Sequence, residues 1–219
     1  KSLNPNCSYL MDIPKFATAL AYDLNDNRKP ETKQKLNRIF DYILLCFFMG
    51  NDFLPHFPAL NIRTTGIDRI MDAYKSVIGT TNENLTNGDT IRWNNLRKVI
   101  MKLADTEDKL MIEEYQIREK QARNTKSRSG KLDEKFTSIP MIDRSVELYI
   151  NPHENGWEER YYQRLFDVKI DDERRKEICV NYLEGLEWTL KYYTTGCCNW
   201  RWSYKYNYPP LLKDLIKYI

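Results

Sequence analysis

The sequence predicts a mostly α-helical protein. Apolar residues recur at three- and four-residue intervals across several long stretches, strand-type alternation is weak along the chain, and no internal repeat is present. Pro14 suits an early helical position, so a short helix is expected over 14–24, followed by the polar loop Asn25 to Glu31. The clearest helix is expected over 32–49, where Leu36, Ile39, Phe40, Ile43, Leu44 and Phe47 keep the helical rhythm and the polar face fades toward the C-terminal end. A further helix spans 66–78, with Gly79 as its expected C-cap. Turn signals that include Asn87-Gly88 fill 80–92. A long helix follows over 93–120, with a break at Asp105 to Asp108.

Gln121 to Lys135 carries one Leu among many charges and is expected to be a solvated, flexible linker. It divides residues 1–120 from a second helical segment, 136–219. In that segment Val146 to Ile150 is a short apolar piece and Trp157 to Phe166 is amphipathic. Asp172 to Tyr193 is a strong helix closed by Gly196.

A length of 219 residues suits one large domain or two small ones, and 42% hydrophobic residues argue against wholesale disorder. A net charge of +3 neither compels nor opposes nucleic-acid binding. The five cysteines form no C-x-x-C pair and only two histidines exist, which argues against a structural zinc site. Cys46 and Cys179 read as small core residues, and the scattered odd count fits a reducing compartment. No apolar run reaches the ~20 residues of a membrane helix. No membrane partner is expected, and an intracellular location is, the cytoplasm favoured over the nucleus. The chain opens on Lys1-Ser2-Leu3 and closes on an apolar run, as a piece of a longer polypeptide would.

Two segments carry candidate chemistry. Gly50-Asn51-Asp52-Phe53-Leu54-Pro55-His56 follows the apolar run Tyr42 to Met49, so an acid sits where a buried helix ends. Gly50 permits an unusual turn and Pro55 stops further helix. A carboxylate at a core's edge must be paired, hydrogen-bonded or cation-bound if desolvated. On local chemistry alone, Asp52 reads first as a plain cap or turn residue. In Gly196 to Pro210, the residues Trp200, Trp202, Tyr204, Tyr206 and Tyr208 fall at every second position, which places them on one side of an extended segment. Such a row is either an aromatic strip packed on the helices or a platform on which unpaired bases stack, with Arg201 and Lys205 nearby for phosphate.

Together these segments resemble the Xrn/Rat-type 5′→3′ exoribonucleases. The resemblance runs through Asp41 to His56, Leu60-Asn61-Ile62-Arg63 and Gly66-Ile67-Asp68. It resumes at Tyr182-Leu183-Glu184-Gly185-Leu186-Glu187-Trp188, Tyr192-Tyr193 and the aromatic string, covering most of 36–78 and 157–215 in order. It implies an irregular multi-helix domain that packs on an α/β nuclease core preceding this chain. It also implies metal-dependent degradation of single-stranded, 5′-monophosphorylated RNA to mononucleotides. Asp52 would be the last of several carboxylates around Mg²⁺ (or Mn²⁺), with Asn51 and His56 beside it. The tryptophans and tyrosines of the string would stack on RNA or wall its pocket.

Two departures stand out: Asn199-Trp200 replaces a Ser-Trp pair, and Tyr204-Lys205-Tyr206-Asn207-Tyr208 lacks the usual Pro and His. These residues alone are expected to be inactive, since one carboxylate does not make a two-metal site. The competing reading is a catalytically degenerate RNA- or protein-binding module. A flap-type DNA nuclease is a third, because nothing in the residues themselves separates RNA from DNA.

Overall fold

The computed structural model describes residues 6–128 and 143–219, the side chains of 124–128 apart. Among them the chain forms nine α-helices joined by loops and short 3₁₀ or π turns, with one isolated β-bridge, Thr86 to Ile91. The helices are α1 (Ile13–Leu24), α2 (Thr32–Phe47), α3 (Gly66–Tyr74), α4 (Trp93–Ala104), α5 (Glu107–Arg128), α6 (Ser145–Ile150), α7 (Trp157–Phe166), α8 (Asp172–Thr194) and α9 (Leu212–Leu215). Asp12 caps α1 by accepting from Lys15 N at 3.0 Å, and Asp171 caps α8 by accepting from Arg174 N at 2.8 Å. The mostly helical class expected from periodicity is what forms, and the expected break after α4 falls at Asp105-Thr106.

Three expectations need correction. Residues 121–128, placed in the linker, continue α5: they hold neither Gly nor Pro and include the good helix formers Gln, Ala, Lys and Arg. Residues 129–135 lie outside the described residues. Gly79 does not end α3 as a left-handed cap. It closes a π-helical turn, Lys75–Gly79, where a Cβ would come within 2.7 Å of the Leu24 carbonyl oxygen, so its smallness lets α1 approach. On α2 the expected line holds toward the C-terminal end, where Leu44 and Phe47 are buried, but not at its start, where Leu36 is 54% exposed. The buried face also includes Arg38 and Asp41, two charges that apolar periodicity does not register.

Those charges are held by a dense network. Arg38 donates to Asn25 Oδ1, the Tyr74 hydroxyl, and the carbonyls of Ile78, Thr81 and Glu83, at 2.6 to 3.2 Å. Asp41 accepts from the Tyr74 hydroxyl at 2.6 Å and from the Leu85 and Thr86 amides at 2.8 and 3.0 Å. The pair thus stitches α2 to the end of the π turn and to the irregular 80–86 segment that follows, whose backbone groups lie outside any helix. Burial pushes the Asp41 carboxyl up to about 6, against its hydrogen bonds.

The main core gathers α2, α3, α4, α8 and α9 around Leu44, Phe48, Tyr74, Leu96 and Leu186. A smaller core joins Ile150, Trp157, Tyr161, Tyr162, Ile178 and Leu211. Glu107, buried at the start of α5, accepts from the Leu212 and Lys213 amides at 2.7 and 2.9 Å. It therefore fixes the chain just beyond the aromatic string. Burial raises its pKa to about 7 despite those bonds.

An acid whose folded pKa is raised holds its proton more tightly in the folded state between its ordinary pKa and the raised one, so stability falls as pH rises through that window. For Glu107 the window runs from 4.5 to about 7. The stability of the native sequence relative to Glu107→Gln should therefore grow as pH falls from 7 to 4.5, by roughly 3 kcal/mol in total. Urea denaturation at a series of pH values measures this, and a difference independent of pH contradicts it.

Candidate functional site

The turn after α2 takes its shape from two residues. Gly50 adopts φ 92°, a left-handed conformation in which an added Cβ would lie 3.1 Å from His56 Cβ and 3.2 Å from its amide nitrogen. Asn51 Oδ1 accepts from the Phe53 and Leu54 amides at 2.8 and 3.0 Å, and Asn51 N donates to the Leu54 carbonyl at 3.0 Å. The side chain of Asn51 thus builds the turn and makes no hydrogen bond to Asp52. Leu54 and Phe57 are buried on either side, which anchors the loop.

Asp52 projects from this braced turn into solvent, so its carboxylate is not desolvated as its place at the edge of the core suggested. Among the described residues it makes no hydrogen bond and no ion pair. His56 stands at the mouth of a neighbouring cleft. Partial desolvation lowers its pKa below the usual histidine value, against the Glu114 carboxylate, which raises it.

Helix α8 brings the two sequence motifs together. The Phe53 ring packs edge-on against Trp188 at 4.8 Å and Tyr192 at 4.9 Å, and Trp188 stacks on Trp202 at 5.3 Å. The Tyr182 hydroxyl donates to the Pro55 carbonyl at 2.9 Å. Between these contacts lies Gly185, where a Cβ would come within 2.6 Å of Leu54 Cδ2 and 2.8 Å of Trp202 Cη2. A glycine within a helix lowers helix propensity, and here the bare backbone is what admits a residue of each motif onto one spot.

The aromatic string divides by role. Trp202, Tyr204 and Tyr206 are half-buried on the core side, while Arg201, Ser203, Lys205 and Asn207 are exposed, so the every-second-residue pattern holds for the three middle aromatics and not for Trp200 or Tyr208. Tyr204 meets Tyr182 edge-on at 5.4 Å, Tyr206 lies 5.6 Å from Phe166, and the Tyr204 hydroxyl donates to the Tyr208 carbonyl at 2.8 Å. The backbone is pinned by Trp188 Nε1, which donates to the Asn199 carbonyl at 2.9 Å, and by Asn181 Oδ1, which accepts from Lys205 N at 3.0 Å. Trp200 is different: it is 83% exposed, a free indole beside the packed row. Tyr208, at the far end, is 40% exposed.

Phe53, Trp188, Gly185 and Asn181 connect the site, and sequence reasoning gave none of them a role. The one available signal was a glycine inside the strongest helical pattern. Two buried donors of the site, Asn51 Nδ2 and Trp202 Nε1, have no acceptor among the described residues. Among those residues no group of three or more His, Cys, Asp or Glu side chains is placed to hold a metal ion. Asp52 has the hard oxygen donors that suit Mg²⁺, but it fits only as one ligand of a larger set.

The Xrn1 helical domain profile matches residues 33–146 and 147–218. The chain belongs to the Xrn1 helical domain family. Among curated relatives, the 5′-3′ exoribonuclease 2 homolog of Drosophila melanogaster is 28% identical over 221 residues, covering 80% of this chain and 24% of the relative. The 5′-3′ exoribonuclease 2 of Gallus gallus is 26% identical over 240 residues, covering 80% and 25%. That of Arabidopsis thaliana is 25% identical over 274 residues, covering 87% and 27%. The chain thus spans about a quarter of the length of the curated relatives it matches. No helix among the described residues is long and apolar enough to cross a membrane.

In this Xrn1 helical domain, Gly185→Val should force Trp202 and Leu54 apart. Overpacking of this kind costs about 1–3 kcal/mol. Chemical denaturation should show that loss, and near-UV circular dichroism should show a changed tryptophan signal. An unchanged signal with unchanged stability would mean that the three residues do not meet.

Proposed function

We propose that this chain is the helical part of a metal-dependent 5′-3′ exoribonuclease, presenting Asp52 and an aromatic platform to single-stranded RNA that begins with a 5′-monophosphate. The observation that carries the reading is the convergence on α8 of an exposed, unpaired carboxylate on a braced turn and a row of aromatics ending in a free indole. An acid used only to cap or pair would show its partner, and Asp52 shows none among the described residues.

In this reading Asp52 contributes oxygen to a divalent-cation site whose other carboxylates come from a nuclease region preceding the chain. Mg²⁺ or Mn²⁺ bound there supplies an activated water and charge neutralisation at the scissile phosphate. The chain's own residues position: Asn51 and Gly50 hold the turn, and Phe53 locks it against Trp188. Trp200 offers an open face for base stacking, which is sequence-tolerant because every base has a π-face. Arg201 and Lys205, facing out from the string, are placed to meet phosphates. Trp202, Tyr204 and Tyr206 support the platform from within, and Tyr208 walls its end. His56 borders the site without bonding Asp52.

Exposed Leu10, Met11, Ile13 and Phe16 form an apolar face that an α/β core would bury, which supports a neighbouring region. The reading places the protein in RNA decay, inside the cell and in the cytoplasm rather than the nucleus. A catalytically degenerate RNA- or protein-binding module is the second reading, favoured by the Lys205 and Asn207 departures.

The 219 residues alone should not degrade 5′-monophosphorylated RNA in Mg²⁺. In the polypeptide that includes the preceding region, Asp52→Asn should abolish RNA decay while shifting stability by less than about 0.5 kcal/mol, as befits an exposed side chain. Decay that survives the substitution removes Asp52 from the metal site. Absence of decay in the unsubstituted polypeptide favours the binding module.

The two tryptophans should separate. Trp200→Ala should weaken single-stranded RNA binding by about 1–3 kcal/mol with little change in folding. Trp202→Ala should instead destabilise the fold by about 3 kcal/mol or more. RNA titration beside thermal denaturation distinguishes the two outcomes, and identical behaviour would contradict the division of the string.

A further inference from the structure

We propose that the cleft between segment 55–61, α5 and Tyr208 holds one internal nucleotide of a single-stranded RNA, its phosphate on Arg118 and its ring against the apolar walls, whatever the base. The cavity measures about 490 Å³, within the range of small-ligand sites. Met111, Tyr115 and Arg118, three and four residues apart on α5, form one wall. Pro55, Pro58 and the partly open ring of Tyr208 supply flat apolar surface.

Arg118 supplies the charge. Its Nε is buried and lies 2.5 Å from Glu147 Oε1, an ion pair that fixes the guanidinium. Its two terminal nitrogens have no partner among the described residues, and 35% of the side chain is exposed. Glu147 does not cancel this charge. Arg144 Nε lies 2.8 Å from the other oxygen of the same carboxylate, so two guanidiniums share one acid. Arg144 is occupied elsewhere: it covers the Tyr115 ring at 4.9 Å, and its Nη2 donates to the Tyr115 carbonyl at 3.4 Å. A guanidinium held at Nε presents its terminal nitrogens as a fork that matches two phosphate oxygens. Glu114, on the same wall, shows the cleft no free oxygen. Its Oε1 accepts from Thr64 Oγ1 at 2.6 Å and from Arg69 Nη1 at 2.9 Å, and its Oε2 is buried. Asp143, on the rim, is exposed, where salt screens it, and accepts from Ser145 N.

The cleft continues the site already described. Its lining includes Pro55 and His56, which follow the acidic turn directly, and Asn207 and Tyr208, which end the aromatic string. A strand lying along the string from Trp200 reaches the cleft at Tyr208. Flat walls and a phosphate contact read no base edge, so the site is indifferent to sequence. One fixed cation beside flat apolar walls fits a ring and its phosphate better than an acidic peptide, which several cations would serve. The choice of RNA as ligand rests on the RNA-directed reading above.

Fluorescence anisotropy of a labelled uridine oligonucleotide, titrated with the 219-residue chain over a range of salt, tests the site. The oligonucleotide carries no 5′-phosphate, so only internal phosphates are read. Arg118→Gln should weaken binding about tenfold at low salt. It should also flatten the slope of log affinity against log salt by about 0.7, the share of one phosphate on a single strand. Arg118→Lys, which keeps the charge, should restore the slope. Arg123→Gln, on the same helix but outside the cleft lining, should change neither quantity. Glu147 keeps Arg144 in Arg118→Gln, so thermal denaturation should show an intact fold. RNA carrying photoreactive thiouridine should crosslink to Met111 or Tyr115. A slope that Arg118→Gln leaves unchanged, an equal loss from Arg123→Gln, or crosslinks confined to the aromatic string overturns the cleft and leaves the RNA-directed reading standing. Tighter binding of a glutamate-rich peptide than of RNA assigns Arg118 to a protein partner and also overturns the proposal. No RNA binding by the unsubstituted chain overturns the cleft too, while the Asp52→Asn decay assay above tests the RNA-directed reading by itself.

Discussion

The site depends on a missing side chain. At Gly185 the backbone of α8 is bare, and Leu54 and Trp202 close on the same point from segments far apart in sequence. Any larger residue there would hold the acidic turn and the aromatic string apart, whatever their own conformations. The stacked and edge-on contacts of Phe53, Trp188 and Trp202 then turn proximity into a fixed arrangement, since aromatic pairs are directional as well as apolar. Glycine costs helix stability at this position, and burial on both sides of α8 outweighs it.

Two buried acids do a comparable job for the loops. A helical domain with long irregular connections leaves many backbone amides without partners, and Asp41 and Glu107 each accept two of them. Asp41, with Arg38, holds the 78–86 segment against α2. Glu107 holds the start of α9 and therefore the end of the aromatic string. Their raised pKa values mark the desolvation that such positions impose. Stability and site geometry thus share residues, because the string would lose its anchor at one end without Glu107.

The exposed elements have a different logic. Asp52 and Trp200 stand clear of the fold, one on a turn braced by Asn51, the other beside a row of packed rings. Rigid support with an open functional group is the arrangement expected of residues that meet a ligand or another domain.

Most of the helical architecture was legible in the sequence, because burial of one helix face imposes the three-and-four spacing of apolar residues and α4, α7 and α8 follow it closely. The end of α5 was not legible, since a charged, Gly-free and Pro-free stretch satisfies helix and linker alike. Part of the buried face of α2 was also hidden, because it includes Arg38 and Asp41, and polar residues become interior only when distant partners saturate them. In the same way, local sequence determined that residues 50–56 turn and that the string alternates. Only the tertiary structure decided that Trp202 is packed while Trp200 is free, that Asp52 is solvated, and that Glu114 keeps an unmatched oxygen. Those distinctions depend on what α8 and α5 place beside each residue, and contacts between separate segments leave no periodic trace in the chain.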